Sequence, residues 1–132
     1  MSDMAKHLEE RIQSSITKVT KAIFPNTTNH YDTLFGGTAM QWMDEVAFIT
    51  ATRFCHKKVV TVSSDQIDFK KPIPAGTIVE LVGQIVKVGN TSATVRIDVF
   101  LEEMYKEGRE LALQGSFTFV AVDESKSPVS IL

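Results

Sequence analysis

The stretch from Gly36 to about Cys55 limits what this chain can become more than any other. It reads as one helix: two glycines open it, the Thr38 hydroxyl stands near its start, and no proline interrupts it. At ~100° per residue, Ala39, Met40, Met43, Val46, Ala47, Ala51 and Phe54 share one wide apolar face, which Trp42 and Ile49 extend. Only Gln41, Asp44, Glu45 and Thr52 remain as a narrow polar strip. A helix that is apolar over most of its circumference is buried on most sides. The rest of the chain therefore has to wrap around it. Asp44 stands at the edge of the strip, beside Met40, Ala47 and Ala51, where polar and apolar surface meet. Glu45 points further out.

What surrounds that helix reads mostly as strand. Residues 1–13 are charged and suggest a frayed helix. Ser14 to Phe24, rich in Ile, Val and Thr, is a first strand, stopped by Pro25. Asn26 to Thr33 is a loop whose Asn, Thr and Asp side chains bond readily to nearby backbone. After the helix, Val59 to Phe69 reads as one long strand. Lys71 to Gly76 is a turn in which two prolines fix φ and Gly76 is free to take a positive value. Ile78 to Val88 is a third strand, and Gly89-Asn90 is a strong hairpin signal. Ala93, Val95, Ile97, Val99 and Leu101 then alternate inward with Thr94, Arg96 and Asp98 outward. A turn at Glu107-Gly108 leads to a last strand with Leu111, Leu113, Gly115, Phe117, Phe119 and Ala121 on its inner face. The Ser-rich tail from Asp123 is expected to be loose or docked on a neighbour. Short turns join antiparallel neighbours. The fold class is therefore α+β: a curved antiparallel five-stranded sheet around one long central helix. Residues 1–132 form one domain with its core at about 14–123. An open sheet of this kind leaves edges, so edge-to-edge dimerisation is expected, with higher assembly built on it.

The formal charge of −2 gives no basic surface for nucleic acid. The single cysteine, Cys55, cannot form an internal disulfide and reads as a small buried hydrophobe. A reduced, cytoplasmic compartment fits. The polar start does not read as a signal peptide, and no apolar run reaches the ~20 residues of a membrane span. No Cys/His cluster has metal spacing, so no metal is expected. The Ser-His-Asp order, the Gly-x-Ser-x-Gly elbow, the Walker motif and the dinucleotide fingerprint are all missing, and no cofactor is implied.

The candidate site residues lie around the helix. Asp44 is either a solvated carboxylate or, bordering apolar surface, a general base. Glu45 is the weaker candidate. Gly36-Gly37 either packs closely or lets a ligand approach the free N–H donors of the first turn, which suit an oxyanion or a polarised carbonyl. Donors at the tip and a base two turns on face one ligand only if it lies along the helix, a layout that favours extended, acyl-like substrates. Asn29 is a turn residue or an amide that holds a water or a substrate carbonyl. His30 reads as a solvated loop residue. Lys87-Val-Gly89-Asn90-Thr91-Ser92 is an ordinary hairpin or a turn whose N–H groups, hydroxyls and lysine hold phosphate. Lys70 and Lys71 add local positive charge.

Together, Asn29, Phe35-Gly36-Gly37, Trp42-Met43-Asp44-Glu45, Val60-Thr61-Val62 and Phe69-Lys-Lys-Pro-Ile-Pro-Ala-Gly76 resemble the hotdog-fold acyl-CoA thioesterases. Within these the chain is similar to the cytosolic acyl-CoA hydrolase class, which includes bacterial single-domain and tandem brain-type enzymes. The resemblance runs from about Ser14 to Asp123. It implies hydrolysis of fatty acyl-CoA to free acid and CoA at a homodimer interface, commonly in a trimer of dimers, and no cofactor beyond the CoA of the substrate. It implies that Asp44 is general base or nucleophile, that Asn29 of one subunit serves with Asp44 of the other, and that the Gly37 N–H polarises the thioester carbonyl. Gly36, Thr61, Lys70, Lys87, Gly89, Asn90, Thr91 and Ser92 are carried over as substrate or CoA contacts. Many relatives have His before the Gly-Gly pair where this chain has Phe35, so no histidine role transfers. Phe35, Met40, Met43 and Phe48 are candidate walls for the acyl chain. The alternative on the same fold is a non-catalytic acyl-CoA sensor, which would be expected to lose the helix carboxylate and to carry an output domain. A hydratase would need a His–carboxylate motif not found here.

Overall fold

The computed structural model describes residues 3–65 and 67–132. Helix α1 (Asp3–Ser15) is followed by strand β1 (Thr17–Ala22), a short 3-10 turn (Pro25–Thr27) and the long helix α2 (Gly36–Cys55). The strands β2 (Lys58–Ser64), β3 (Asp68–Phe69), β4 (Thr77–Val88), β5 (Ser92–Glu103) and β6 (Glu110–Val122) complete the order. All pair antiparallel in the order β1-β4-β5-β6-β2, and β3 continues beside β6 beyond the end of β2.

Helix α2 leaves one edge strand, β1, and returns to the other, β2, so it crosses the whole sheet. Its 20 residues rise about 30 Å, enough to span five strands spaced about 4.8 Å apart. It touches β1, β2, β4, β5 and β6. One rod can reach both edges only because the sheet curls around it. At two points the packing leaves no room for a side chain on the sheet. A Cβ on Gly83 would run into Thr50, Val46 and Ile97, and one on Gly115 would meet Met43 and Ile67. The core is the expected one: Ala39, Met43, Val46, Ala47, Ala51 and Phe54 against Val95, Ile97, Val99, Phe117 and Phe119.

Several expectations are corrected. The helix expected near the N-terminus is present, but it extends to Ser15 and packs on the domain. Leu8 and Ile12 pack on the core, and two arginines cross-link the helix ends. Arg11 Nη2 donates to the Phe54 carbonyl at 2.9 Å, and Arg53 Nη2 donates to the Ser14 carbonyl at 3.1 Å. Ser14 and Ser15 bond back one turn to Arg11 and Ile12, so the helix claims them and β1 starts only at Thr17. The single strand expected from Val59 to Phe69 is broken between β2 and β3, where Ile67 turns in over Gly115. A bulge opposite Val99/Phe100 shifts the alternation of β6, so Ala112 takes the buried place and Leu111 is only half-buried. On α2, Met40 is exposed, because no element of the same chain covers that side, while Thr50 is fully buried and returns its hydroxyl to the Val46 carbonyl. The tail is docked on its own chain: Val129 N and Ile131 N donate to the carbonyls of Ala121 and Asn90, and Ile131 is fully buried. Among the described residues no helix is long and apolar enough to cross a membrane.

Candidate active site

The loop from Ile23 to Phe35 is a narrow hairpin tied to the segment before β4. Leu34 N donates to the Ile73 carbonyl at 2.8 Å and Ala75 N to the Asp32 carbonyl at 2.9 Å. Thr28 pairs with Leu34, and the turn between them is closed by Asn29 N donating to the Thr33 carbonyl at 2.7 Å. Asp32 at its tip is left-handed, with φ 58. The Asn29 side-chain oxygen accepts three bonds, from Tyr31 N at 2.9 Å, Thr33 N at 3.3 Å and Thr33 Oγ1 at 3.1 Å. Its role as a turn residue is thus plain. The Thr27 and Thr28 hydroxyls donate to the carbonyls of Phe24 and Pro25 and tighten the same loop.

Phe35 N donates to the Thr27 carbonyl, which delivers the chain directly into α2. The N-cap position is Phe35, and no side chain caps the helix; Thr38 does not do so. Phenylalanine has no acceptor with which to cap. The first intrahelical donor is Ala39 N, to the Phe35 carbonyl. The N–H groups of the first turn therefore stay available at the positive end of the helix dipole. A Cβ on Gly37 would touch nothing within 4 Å, so Gly37 borders open space. Gly36 instead rests on the Phe69 ring, 3.8 Å from where its Cβ would be.

Beside this tip lies a groove of about 360 Å³, lined by Thr33, Leu34, Gly36, Phe69, Ile73 and Leu113, with Lys70 and Lys71 at its rim. Lys71 is paired with Glu110 at 2.6 Å, and Lys70 is exposed. Phe69, Ile73 and Leu113 lie far from Gly36 in sequence and join it only through the β3–β6 pairing, so no local pattern announces the groove.

Asp44 is exposed in the single chain. Met40 and Phe48, four residues to either side on the same helix face, are 41% and 47% exposed. Thr61 Oγ1 on β2 stands 3.4 Å from Asp44 Oδ1, long for a hydroxyl–carboxylate bond but close enough for both to hold one water. Thr61 thus lies beside the carboxylate. Met43 is fully buried and cannot line an acyl site, whereas Phe35, Met40 and Phe48 are accessible. Glu45 and His30 are exposed; the His30 ring lies tilted at 41° against Tyr31, with ring centroids 4.0 Å apart.

The expected residues are not all brought together within one chain. Asn29 bonds only within its loop and not to Asp44. Seven residues separate Gly37 from Asp44, a rise of about 10 Å, so one thioester carbon cannot meet both on a single rod. The hairpin Gly89–Ser92 is further away. It pairs near Phe119 and Val120, while the groove lies at Leu113, about 20 Å along β6. There Gly89 N is committed to the Ser92 carbonyl, and the Asn90 carbonyl accepts from the tail. No group of three His, Cys, Asp or Glu side chains is placed to hold a metal among the described residues.

A model of the thioesterase superfamily matches residues 31–107. The chain is 40% identical over 119 residues to an uncharacterized acyl-CoA thioester hydrolase of Bacillus subtilis, YkhA, covering 90% of this chain and 69% of the relative. It spans 60% of the length of protein VdlD of Helicobacter pylori, at 39% identity. An acyl-CoA hydrolase from Staphylococcus aureus, solved with butyryl coenzyme A and coenzyme A, superposes with a TM-score of 0.86 at 35% identity, covering 90% of this chain and 73% of that one. The same enzyme has been solved with single alanine replacements at an asparagine, an aspartate and a threonine. A hexameric broad-specificity acyl-coenzyme A thioesterase superposes with a TM-score of 0.80 at 32% identity, over 86% of this chain and 84% of that one. By fold and kinship alike, the chain belongs to the thioesterase superfamily and, within it, to the hotdog-fold acyl-CoA thioester hydrolases.

Proposed function

We propose that this protein hydrolyses fatty acyl-CoA to free acid and CoA as a homodimer of single-domain subunits with shared active sites. The observation that carries the proposal is Asp44 beside Thr61 on an uncovered apolar face of α2, next to the free edge of β2. A second copy paired along that edge would cover Met40 and Phe48 and turn an exposed carboxylate into one at the wall of a groove. The asparagine, aspartate and threonine replaced in the Staphylococcus aureus enzyme are spaced 15 and 17 residues apart. Asn29, Asp44 and Thr61 have the same spacing. The hexameric state of a relative supports assembly beyond the dimer.

In this reading the thioester carbonyl rests on the Gly37 N–H of one protomer, and Asp44 comes from the partner, which removes the 10 Å separation along a single helix. Water held between Asp44 and Thr61 adds to the carbonyl carbon while its proton passes to Asp44. The oxyanion is held by the helix-tip donor. Collapse breaks the C–S bond, and the CoA thiolate takes the proton back. The Thr61 hydroxyl favours this route over direct attack by Asp44, which would pass through an anhydride. Oxygen-18 from solvent found in Asp44 after one turnover would reverse that choice. Lys70, at the groove rim beside Gly36, is the cation assigned to the CoA phosphates. Lys87 and Gly89–Ser92 lie too far along the sheet to meet the same ligand within one protomer, so their role requires a neighbouring one. A panel of acyl-CoAs followed by thiol release tests the reading. Turnover of several chain lengths is expected, and binding without release would instead assign a sensor.

A further inference from the structure

We infer that Asn29 serves the reaction only as a hydrogen-bond donor, to the thioester carbonyl, and that Thr33 is the positioning residue that holds it in that role. The inference rests on the hydrolase reading above. Its basis is which atoms of Asn29 are already engaged. An amide oxygen has two lone pairs and an amide nitrogen two donors. The Asn29 oxygen faces two backbone N–H groups, of Tyr31 and Thr33, and the Thr33 hydroxyl. Backbone N–H groups can only donate, so the atom facing them is the oxygen, and the usual ambiguity of amide orientation is removed by chemistry. Three donors on one oxygen leave it no capacity to accept from a water. What remains is Nδ2–H₂, which meets no acceptor among the described residues. Asn29 therefore cannot take a proton from, or orient through its oxygen, the attacking water. It can donate to the oxygen that becomes negative when water adds to the carbonyl, alongside the Gly37 N–H. Thr33 lines the groove, and its hydroxyl bonds the Asn29 oxygen at 3.1 Å, so Asn29 is held against a residue of the groove wall. Its Oγ1 is the one of the three donors that a side-chain substitution removes.

The test is substitution in the full chain. In Asn29→Asp a carboxylate oxygen accepts the same three bonds, so the turn is kept, while the donor is replaced by an acceptor. The expected result is a fall in kcat of about a hundredfold or more, the cost of losing one oxyanion donor, with KM and CoA affinity within about threefold. An Asn29→Asp variant that keeps more than a tenth of the wild-type rate overturns the inference, because an acceptor would then suffice. Thr33→Val should lower kcat about tenfold with little change in KM, and Thr33→Ser should restore it. Equal kcat for Thr33→Val and the wild type removes Thr33 from the role. Should the variants fail to fold, the wild-type protein labelled with nitrogen-15 decides. A ketone analogue of acyl-CoA, with CH₂ in place of sulfur, should move the Asn29 side-chain amide protons downfield, and CoA alone should not. Unmoved protons with the analogue bound contradict the inference. Failure of the hydrolase reading would look different, since the wild type itself would release no thiol.

Discussion

At the residue scale the account turns on three side chains and one glycine. Asp44, Asn29 and Gly37 are legible in the sequence as candidates, because a carboxylate on an otherwise apolar helix, a glycine pair at its start and a loop amide are each visible locally. Their mutual relation is not. In sequence Asn29 is a turn residue or a site amide, and the fold shows the turn role, with three donors on its oxygen. Thr33 carries no sequence signal, because its importance lies in a turn whose closure only the fold reveals. We predict that Asp44→Ala abolishes thiol release while leaving CoA binding intact, as calorimetry with CoA would record. Gly37→Ala should fold normally, since nothing stands within 4 Å of the added carbon. Its methyl group would nonetheless intrude on the carbonyl's place, lowering kcat/KM by roughly tenfold, about 1.4 kcal/mol, at an unchanged Tm.

At the element scale, α2 and the inward alternation of β5 are readable from periodicity alone, and both stand where the pattern puts them. The errors fall where a contact from elsewhere in the chain overrides the local pattern. Arg53 of α2 bonds the Ser14 carbonyl at the end of α1, Ile67 breaks the β2–β3 strand to cover Gly115, and a bulge against β5 hands the place of Leu111 to Ala112. Gly83 is a case where close packing demands glycine, since Thr50 and Val46 press against it. Gly83→Ala should destabilise by about 1–3 kcal/mol, the usual cost of overpacking, read from chemical denaturation. The tail supplies a pH prediction. The Ser127 backbone N–H, then the Ser125 hydroxyl and N–H, hold the Asp123 carboxyl below its usual range. A carboxyl depressed in the folded state stabilises above its unfolded value and loses that contribution as pH falls through the folded one. Tail docking should therefore be constant from neutral pH to mild acid and weaken only in strong acid. Reduced amide protection at Val129 and Ile131 there, relative to the intrinsic exchange rate at that pH, and the same loss at neutral pH in Asp123→Ala, would report it.

At the scale of the whole molecule, the proposed site is incomplete within one protomer. Its helix-tip donors and loop amide lie at one end of α2, its carboxylate lies two turns further on, and an uncovered apolar face and a free strand edge adjoin the latter. The family resemblance implies a shared site, and the geometry supplies a reason for it: a distance of about 10 Å along one rod that no single thioester can close. Replacing Val60, 42% exposed on β2, by Lys should weaken edge pairing, and activity should fall in step with the dimer fraction measured by sedimentation. The sharpest measurement mixes two variants, Asn29→Ala and Asp44→Ala, each inactive alone, under conditions that let subunits exchange. Random re-pairing makes half the dimers mixed, each with one intact site, so thiol release should return to about a quarter of the wild-type rate. A mixture that stays as inactive as its components would place Asn29 and Asp44 in the same protomer's site and contradict the account.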